Sequence, residues 1–151
     1  MLSAPRDLTT AAHDVSVGTL VLTLDGAIPV EFLNPGDRII TRAGAQTLRA
    51  VQSRIVADCP MIRVRDAEIG ADSGQADMML TPDQPILIRD WRARALTGQP
   101  QAMIAADRLV DGTYIRRETV ASQRIVRLEF DMPVVIYAGN LELAVSASIA
   151  A

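Results

Sequence analysis

Three groups that can attack a carbonyl or move a proton stand within four residues: the imidazole of His13, the carboxylate of Asp14 and the hydroxyl of Ser16. A serine hydroxyl becomes a working nucleophile only beside a base. His13 or Asp14 is the local helper. Extended backbone puts Asp14 and Ser16 on one face. Further along, "LTPDQPILI" sets Thr81, Asp83 and Gln84 in a proline-bounded turn. A glutamine amide donates and accepts hydrogen bonds but does not titrate near neutrality. Gln84 can polarise a carbonyl, but it cannot hand over a proton. Asp72, Asp77, Asp83 and Asp90 gather around the same stretch. Such oxygens can hold Ca²⁺, and two of them at the right separation can act as acid and base. The stronger reading makes them turn and cap residues, because aspartate favours those positions and no EF-hand spacing is present.

Other chemistry is closed off by composition. Cys59 is the single cysteine and His13 the single histidine. An internal disulfide, a cysteine zinc site, a multi-histidine metal site and a serine triad within one chain are therefore excluded. Cys59, before Pro60, reads as a buried or half-buried small apolar residue. No cofactor is expected. All fifteen basic residues are arginine, scattered among eighteen acids, with a net charge of −3. That pattern argues against a nucleic-acid surface, where phosphate neutralisation dominates affinity. It leaves a protein partner as the expected class. No apolar run reaches the ~18 residues of a membrane span. "MLSAPRDLTTAAHD" lacks the apolar centre of a leader, which favours a cytoplasmic location and leaves leaderless export open.

The elements that must position these groups are mostly strands. Of the 151 residues, 49% are hydrophobic and only 3% aromatic, so the core falls to Val, Ile, Leu, Met and Ala. "TLVLTL" alternates and runs into Asp25-Gly26, a hairpin signal. Pro35-Gly36 turns the chain into a strand over residues 38–42. "QTLRAVQSRIVA" and "MIRVRDAEI" are two alternating runs, and residues 70–77 read as a loop. "TYIRRETV", "QRIVRLEF", "PVVIYAG" and "LELAVSA" follow as strands. "RDWRARALTG" predicts a short helix with Asp90 as N-cap and Gly98 at its end. "AADRLVDG" predicts a second helical turn. The whole is an all-β domain of about a dozen short strands with one or two short helices. Trp91 is expected to anchor the first helix to the sheet. Arg89, Arg92 and Arg94 beside it are expected to be solvated or paired with acids. A docking site for an anionic partner, through stacking and bidentate contacts, is the alternative.

Three stretches, in order, carry a resemblance. "VGTLVLTLDGAIPVEFLNPGDRIITR", "LTPDQPILI" and "VVIYAGNLELA" resemble the opening, middle and closing blocks of the Hedgehog/intein (Hint) family, over roughly residues 14–147. Within it, the chain is most similar to a bacterial Hint-like group found in alphaproteobacteria. The resemblance implies a compact all-β horseshoe with pseudo-two-fold symmetry and neighbouring termini. Residues 1–13 would be a polar arm and 148–151 a tail.

It also implies a site. Active members open with a Cys or Ser that attacks the preceding carbonyl. A Thr-x-x-His motif holds the amide and protonates the leaving nitrogen. The matching positions here are Asp14, Thr81 and Gln84. A carboxylate in the nucleophile's place would give a strained anhydride, and loss of the general acid costs on the order of 10²–10⁴ in rate. Splicing members finish with His-Asn; here Asn140 has no histidine beside it and little chain to join. The expectation is a Hint-like domain that has lost self-splicing and self-cleavage and serves as a binding or structural module. The alternative is residual cleavage near the start of the chain by His13, Ser16, Asp83 and Asn140.

Overall fold

A computed structural model describes residues 14–65 and 77–147. His13, Asp72, the arm, the tail and most of the 70–77 loop lie outside the described residues. Twelve strands are present among the described residues: β1 Val15–Ser16, β2 Leu20–Thr23, β3 Gly26–Pro29, β4 Arg38–Thr41, β5 Gly44–Thr47, β6 Ala50–Val64, β7 Met78–Leu80, β8 Pro85–Ile88, β9 Ala102–Ala105, β10 Ile115–Glu129, β11 Val134–Ala138 and β12 Leu141–Val145. One α-helix, α1, spans Trp91–Thr97, and 3₁₀ turns cover Val30–Phe32 and Ala106–Leu109. The expected all-β class is what the chain adopts.

Two strands are not short. β6 and β10 are 15 residues each and pair antiparallel in one unbroken register, from Ala50↔Glu129 to Val64↔Ile115. The boundaries between "QTLRAVQSRIVA" and "MIRVRDAEI" and between "TYIRRETV" and "QRIVRLEF" are therefore corrected. Pro60 sits inside β6, opposite Thr119, where β10 is the only partner strand among the described residues. Its missing N–H then falls on the unpaired edge and costs no ladder bond. Asp58 takes a positive φ of 50°, and there alone the pairing lapses, without a slip of register.

The ribbon closes into a small barrel, β1–β10–β6–β7, sealed by Val15↔Leu80 between β1 and β7. The remaining strands form a second sheet in the order β3–β2–β4–β11–β12–β8–β9, with β5 beside β4. Both tight hairpins of the first half read Thr-x-x-Gly. Thr23 Oγ1 accepts from Asp25 N–H and donates to the Gly26 carbonyl; Thr41 does the same with Ala43 and Gly44. Gly26, at φ 104°, adopts the positive φ that such a turn requires and that other residues resist.

A pseudo-two-fold repeat shows in the backbone bonding. The Ser16–Thr19 turn after β1 closes with Thr19 N–H on the Ser16 carbonyl, and the Thr81–Gln84 turn after β7 closes with Gln84 N–H on the Thr81 carbonyl. Each turn's last carbonyl then receives the first N–H of a 3₁₀ turn: Val30 to Thr19 at 2.8 Å, Ala106 to Gln84 at 2.9 Å. The core is aliphatic as expected, with Ile39, Leu48, Ile62, Leu80, Ile86 and Leu143 fully buried and Phe130 the one fully buried aromatic. The two described ends meet at β10 and the residue after it: Val15 pairs with Val126, and Ala147 bridges Phe130.

Helix α1 forms where expected. Asp90 caps it by accepting from Arg92 N–H, and Gly98 ends it in the left-handed conformation. Its anchorage is not as expected. Trp91 is 75% exposed, and Ala93 is the helix residue that is buried. Trp91 does not pin the helix to the sheet. The helix is only two turns long, and a small residue at its contact point lets the backbone lie close to its neighbours. Trp91→Ala should therefore shift stability by no more than about 0.5 kcal/mol. Ala93→Leu should cost roughly 1–3 kcal/mol by overpacking. Urea unfolding of the two variants checks both.

Candidate functional site

The site is built where β1 threads between β10 and β7. Asp14 directly precedes β1, and its side chain is 1% exposed. Charge that deeply buried needs partners, and two arginines of the ribbon supply them. Asp14 Oδ1 accepts from Arg127 Nε at 2.8 Å, and Oδ2 accepts from Arg54 Nη2 at 2.8 Å and from Arg127 Nη2 at 3.2 Å. Arg127 thus grips the carboxylate with both arms of its fork, the geometry that guanidinium favours. Arg54 lies opposite Ile125, two residues from Arg127. A strand repeats every two residues, so both cations share one ribbon face with Asp14 and Ser16.

Both guanidiniums keep contact with water: the side chains are 50% exposed for Arg54 and 26% for Arg127. The desolvation cost of a fully buried ion cluster is correspondingly reduced. The group carries a formal surplus of one positive charge.

Thr81 meets the backbone of Asp14. Thr81 N–H donates to the Asp14 carbonyl at 3.3 Å, and Thr81 Oγ1 lies 3.4 Å from Asp14 N and 3.5 Å from Asp14 O. These are long bonds and individually weak. Ser16 Oγ is buried and accepts from Met79 N–H at 3.0 Å. Gln84 is 1% exposed, and its amide nitrogen donates to the Ala144 carbonyl at 2.8 Å and the Pro85 carbonyl at 2.9 Å. Both amide hydrogens are spent on backbone, stitching the turn to β12.

The structure brings Asp14, Ser16 and Thr81 together, with Gln84 in the same turn and its amide aimed at β12. Asp83 is exposed on the turn. Asn140 is exposed at the tip of the β11–β12 hairpin, four residues from Ala144 along β12, roughly 13 Å at ordinary strand rise. Among the described residues, Asp77, Asp83 and Asp90 do not converge. Asp77 pairs with Arg63, and Asp90 with Arg92. Among the described residues no three His, Cys, Asp or Glu side chains form a metal-holding group. Cys59 is half-buried, packed at the edge of the small Met61, Met79 and Ile125 cluster. Arg54 and Arg127 are the site residues that sequence reasoning missed. Their partner lies 40 and 113 residues away, so no local spacing marks them. The one available signal was an acidic residue beside a strand that alternation placed in the interior.

Thr19 presents an anomaly. It is 2% exposed and its Oγ1 has no hydrogen-bond partner. Its counterpart in the repeat, Gln84, donates both amide hydrogens to backbone carbonyls.

A two-stranded ribbon closed into a barrel by two short strands, with paired turns feeding a second sheet, defines an intein-like all-β domain. A family profile described as the Hint domain matches residues 15–144, and the chain belongs to the Hint domain family. Its fold is similar to that of a bacterial intein-like domain from Clostridium thermocellum, with a TM-score of 0.61, 15% identity, and coverage of 90% of this chain and 99% of that one. It is also similar to the TvoVMA intein, with a TM-score of 0.57, 10% identity, and 87% and 96% coverage. For the MchDnaB-1 intein the TM-score is 0.54, the identity 13%, and the coverage 87% and 99%. At such identities the likeness is one of fold. No curated protein matches the sequence. No helix among the described residues is long and apolar enough to cross a membrane.

Two substitutions test the energetics. Asp14→Ala should lower unfolding stability by roughly 1.5–3 kcal/mol, the scale of charge-assisted hydrogen bonds. The full penalty of a broken buried pair is not reached, because both arginines can turn to water. Thr19→Val is nearly isosteric and removes an unsatisfied hydroxyl, so it should be neutral or stabilising. Chemical denaturation reads both.

Proposed function

We propose that this Hint domain does not cleave or splice itself and serves as a binding or structural module. The observation that carries the reading is the commitment of Asp14. Both of its carboxylate oxygens are held by Arg54 and Arg127, so the residue in the nucleophile's position acts as an electrostatic clamp on β1. Gln84 agrees with this. An amide that donates both hydrogens to backbone carbonyls holds a turn together and has no proton to give a leaving nitrogen.

The second reading, residual cleavage, rests on Ser16. Its hydroxyl accepts from Met79 N–H, and no imidazole or amine base meets it among the described residues. An alcohol so placed is a weak nucleophile. The acidic composition and lack of lysine favour a protein partner over nucleic acid.

Intact mass spectrometry of the purified chain, incubated for days with and without hydroxylamine, tests the reading. The expected result is the full-length mass throughout. Spontaneous release of an amino-terminal fragment, abolished by Ser16→Ala, would overturn it in favour of the second reading.

A further inference from the structure

The corner around α1 is left unexplained by the clamp. Trp91, 75% exposed, stands beside a shallow hollow of about 590 Å³ lined by Arg89, Asp90, Trp91, Arg94, Ala95 and Pro100. A large indole left in water on a two-turn helix forgoes the burial that ordinarily fixes such a residue. Ala95 and Pro100 extend the apolar floor beside it, and both are exposed.

The charge there opposes that of the chain. The whole sequence is −3, but the hollow is cationic. Asp90 is committed to Arg92 and to the first turn of α1. Arg89 must share its one carboxylate, Glu142, with Arg42. Arg94 has no carboxylate partner among the described residues. One guanidinium without a carboxylate, Arg94, and one that holds a single oxygen of a shared carboxylate, Arg89, thus flank an exposed indole; guanidiniums accept carboxylates in bidentate fashion while an apolar group can pack on the ring.

From this, resting on the binding-module reading above, we infer that the hollow beside Trp91 docks an acidic peptide segment of another protein. The segment would be extended, with carboxylates on Arg89 and Arg94 and an aliphatic or proline side chain on Trp91. Nucleic acid is disfavoured because its affinity comes from a row of phosphates. Two cations at one corner of an acidic surface offer no such row. The open shape suits a segment lying across the surface better than a small enclosed ligand.

Trp91 is the chain's single tryptophan, so its emission reports on this place alone. The experiment titrates the full chain with a synthetic dodecapeptide centred on Glu-Glu-Leu-Pro-Glu-Glu and with its Lys-for-Glu counterpart. Single-stranded oligonucleotide and anionic phospholipid vesicles are parallel arms. The acidic peptide should produce a saturable blue shift that the Lys peptide does not. Affinity should fall several-fold as ionic strength rises from about 0.01 to about 0.15 M, where screening shortens from ~30 to ~8 Å. Arg94→Gln should weaken binding about ten-fold at an unchanged melting temperature.

No shift with the acidic peptide at millimolar concentration and low salt would overturn the inference. So would a shift produced by oligonucleotide or vesicles and not by peptide. A shift that grows with the concentration of the chain alone, with dimer in sedimentation, would assign the face to a second copy and overturn it too. Intact mass on the same sample separates the two claims. An intact chain that ignores the peptide sinks the docking site alone; a cleaved chain that binds it sinks the loss of cleavage alone.

Discussion

The rest of the molecule depends on the pairing of β6 with β10. An antiparallel register fixes not only which residues face each other but which side chains share a face. Here it sets Arg54 diagonal to Arg127 across the ribbon. A one-residue slip of either strand would turn one arginine to the opposite face, and Asp14 would lose one or two of its three charge-assisted bonds. The same register lets β1 lie along β10 and β7 along β6, which closes the barrel around Val15 and Leu80. Site and fold are therefore one constraint: the ribbon that builds the barrel also presents the cations.

A buried carboxylate between arginines is weak evidence for stability in itself, since desolvation offsets most of the attraction. Its effect is better read as positional. β1 is only two residues long, too short to hold its place by ladder bonds alone. Three charge-assisted bonds on Asp14 fix the entry of the strand, and the long Thr81 contacts add little. This accounts for the single charged side chain among the buried described residues.

Much of this architecture was legible from residue patterns, and the failures have definite causes. The Asp25-Gly26 hairpin, the Asp90 cap and the Gly98 stop are local signals, carried by residues whose backbone preferences act within a few positions. The alternating runs divide the long ribbon into four pieces, with residues 58–60 falling between two of them. Proline ends a strand only where its N–H would be needed, and on a two-stranded ribbon it is not. The size of Trp91 alone points to the core. Burial depends on what packs against the helix, and Ala93 occupies that place. The arginines around Asp14 could not be found locally, since alternation tells which face a residue takes but not which distant residue it meets.

The repeat adds a last step. Ser16–Thr19 and Thr81–Gln84 are equivalent turns with equivalent backbone bonds, yet their final side chains differ in kind. Gln84 spans from its turn to the Ala144 and Pro85 carbonyls. Thr19 is too short to reach across, and its hydroxyl stays unpartnered in the interior. The longer amide side chain, with two donors, ties the second turn to β12. Gln84 is thus accounted for by the packing of its own half of the molecule. A neutral imidazole, with its single N–H, could donate to only one of these two carbonyls.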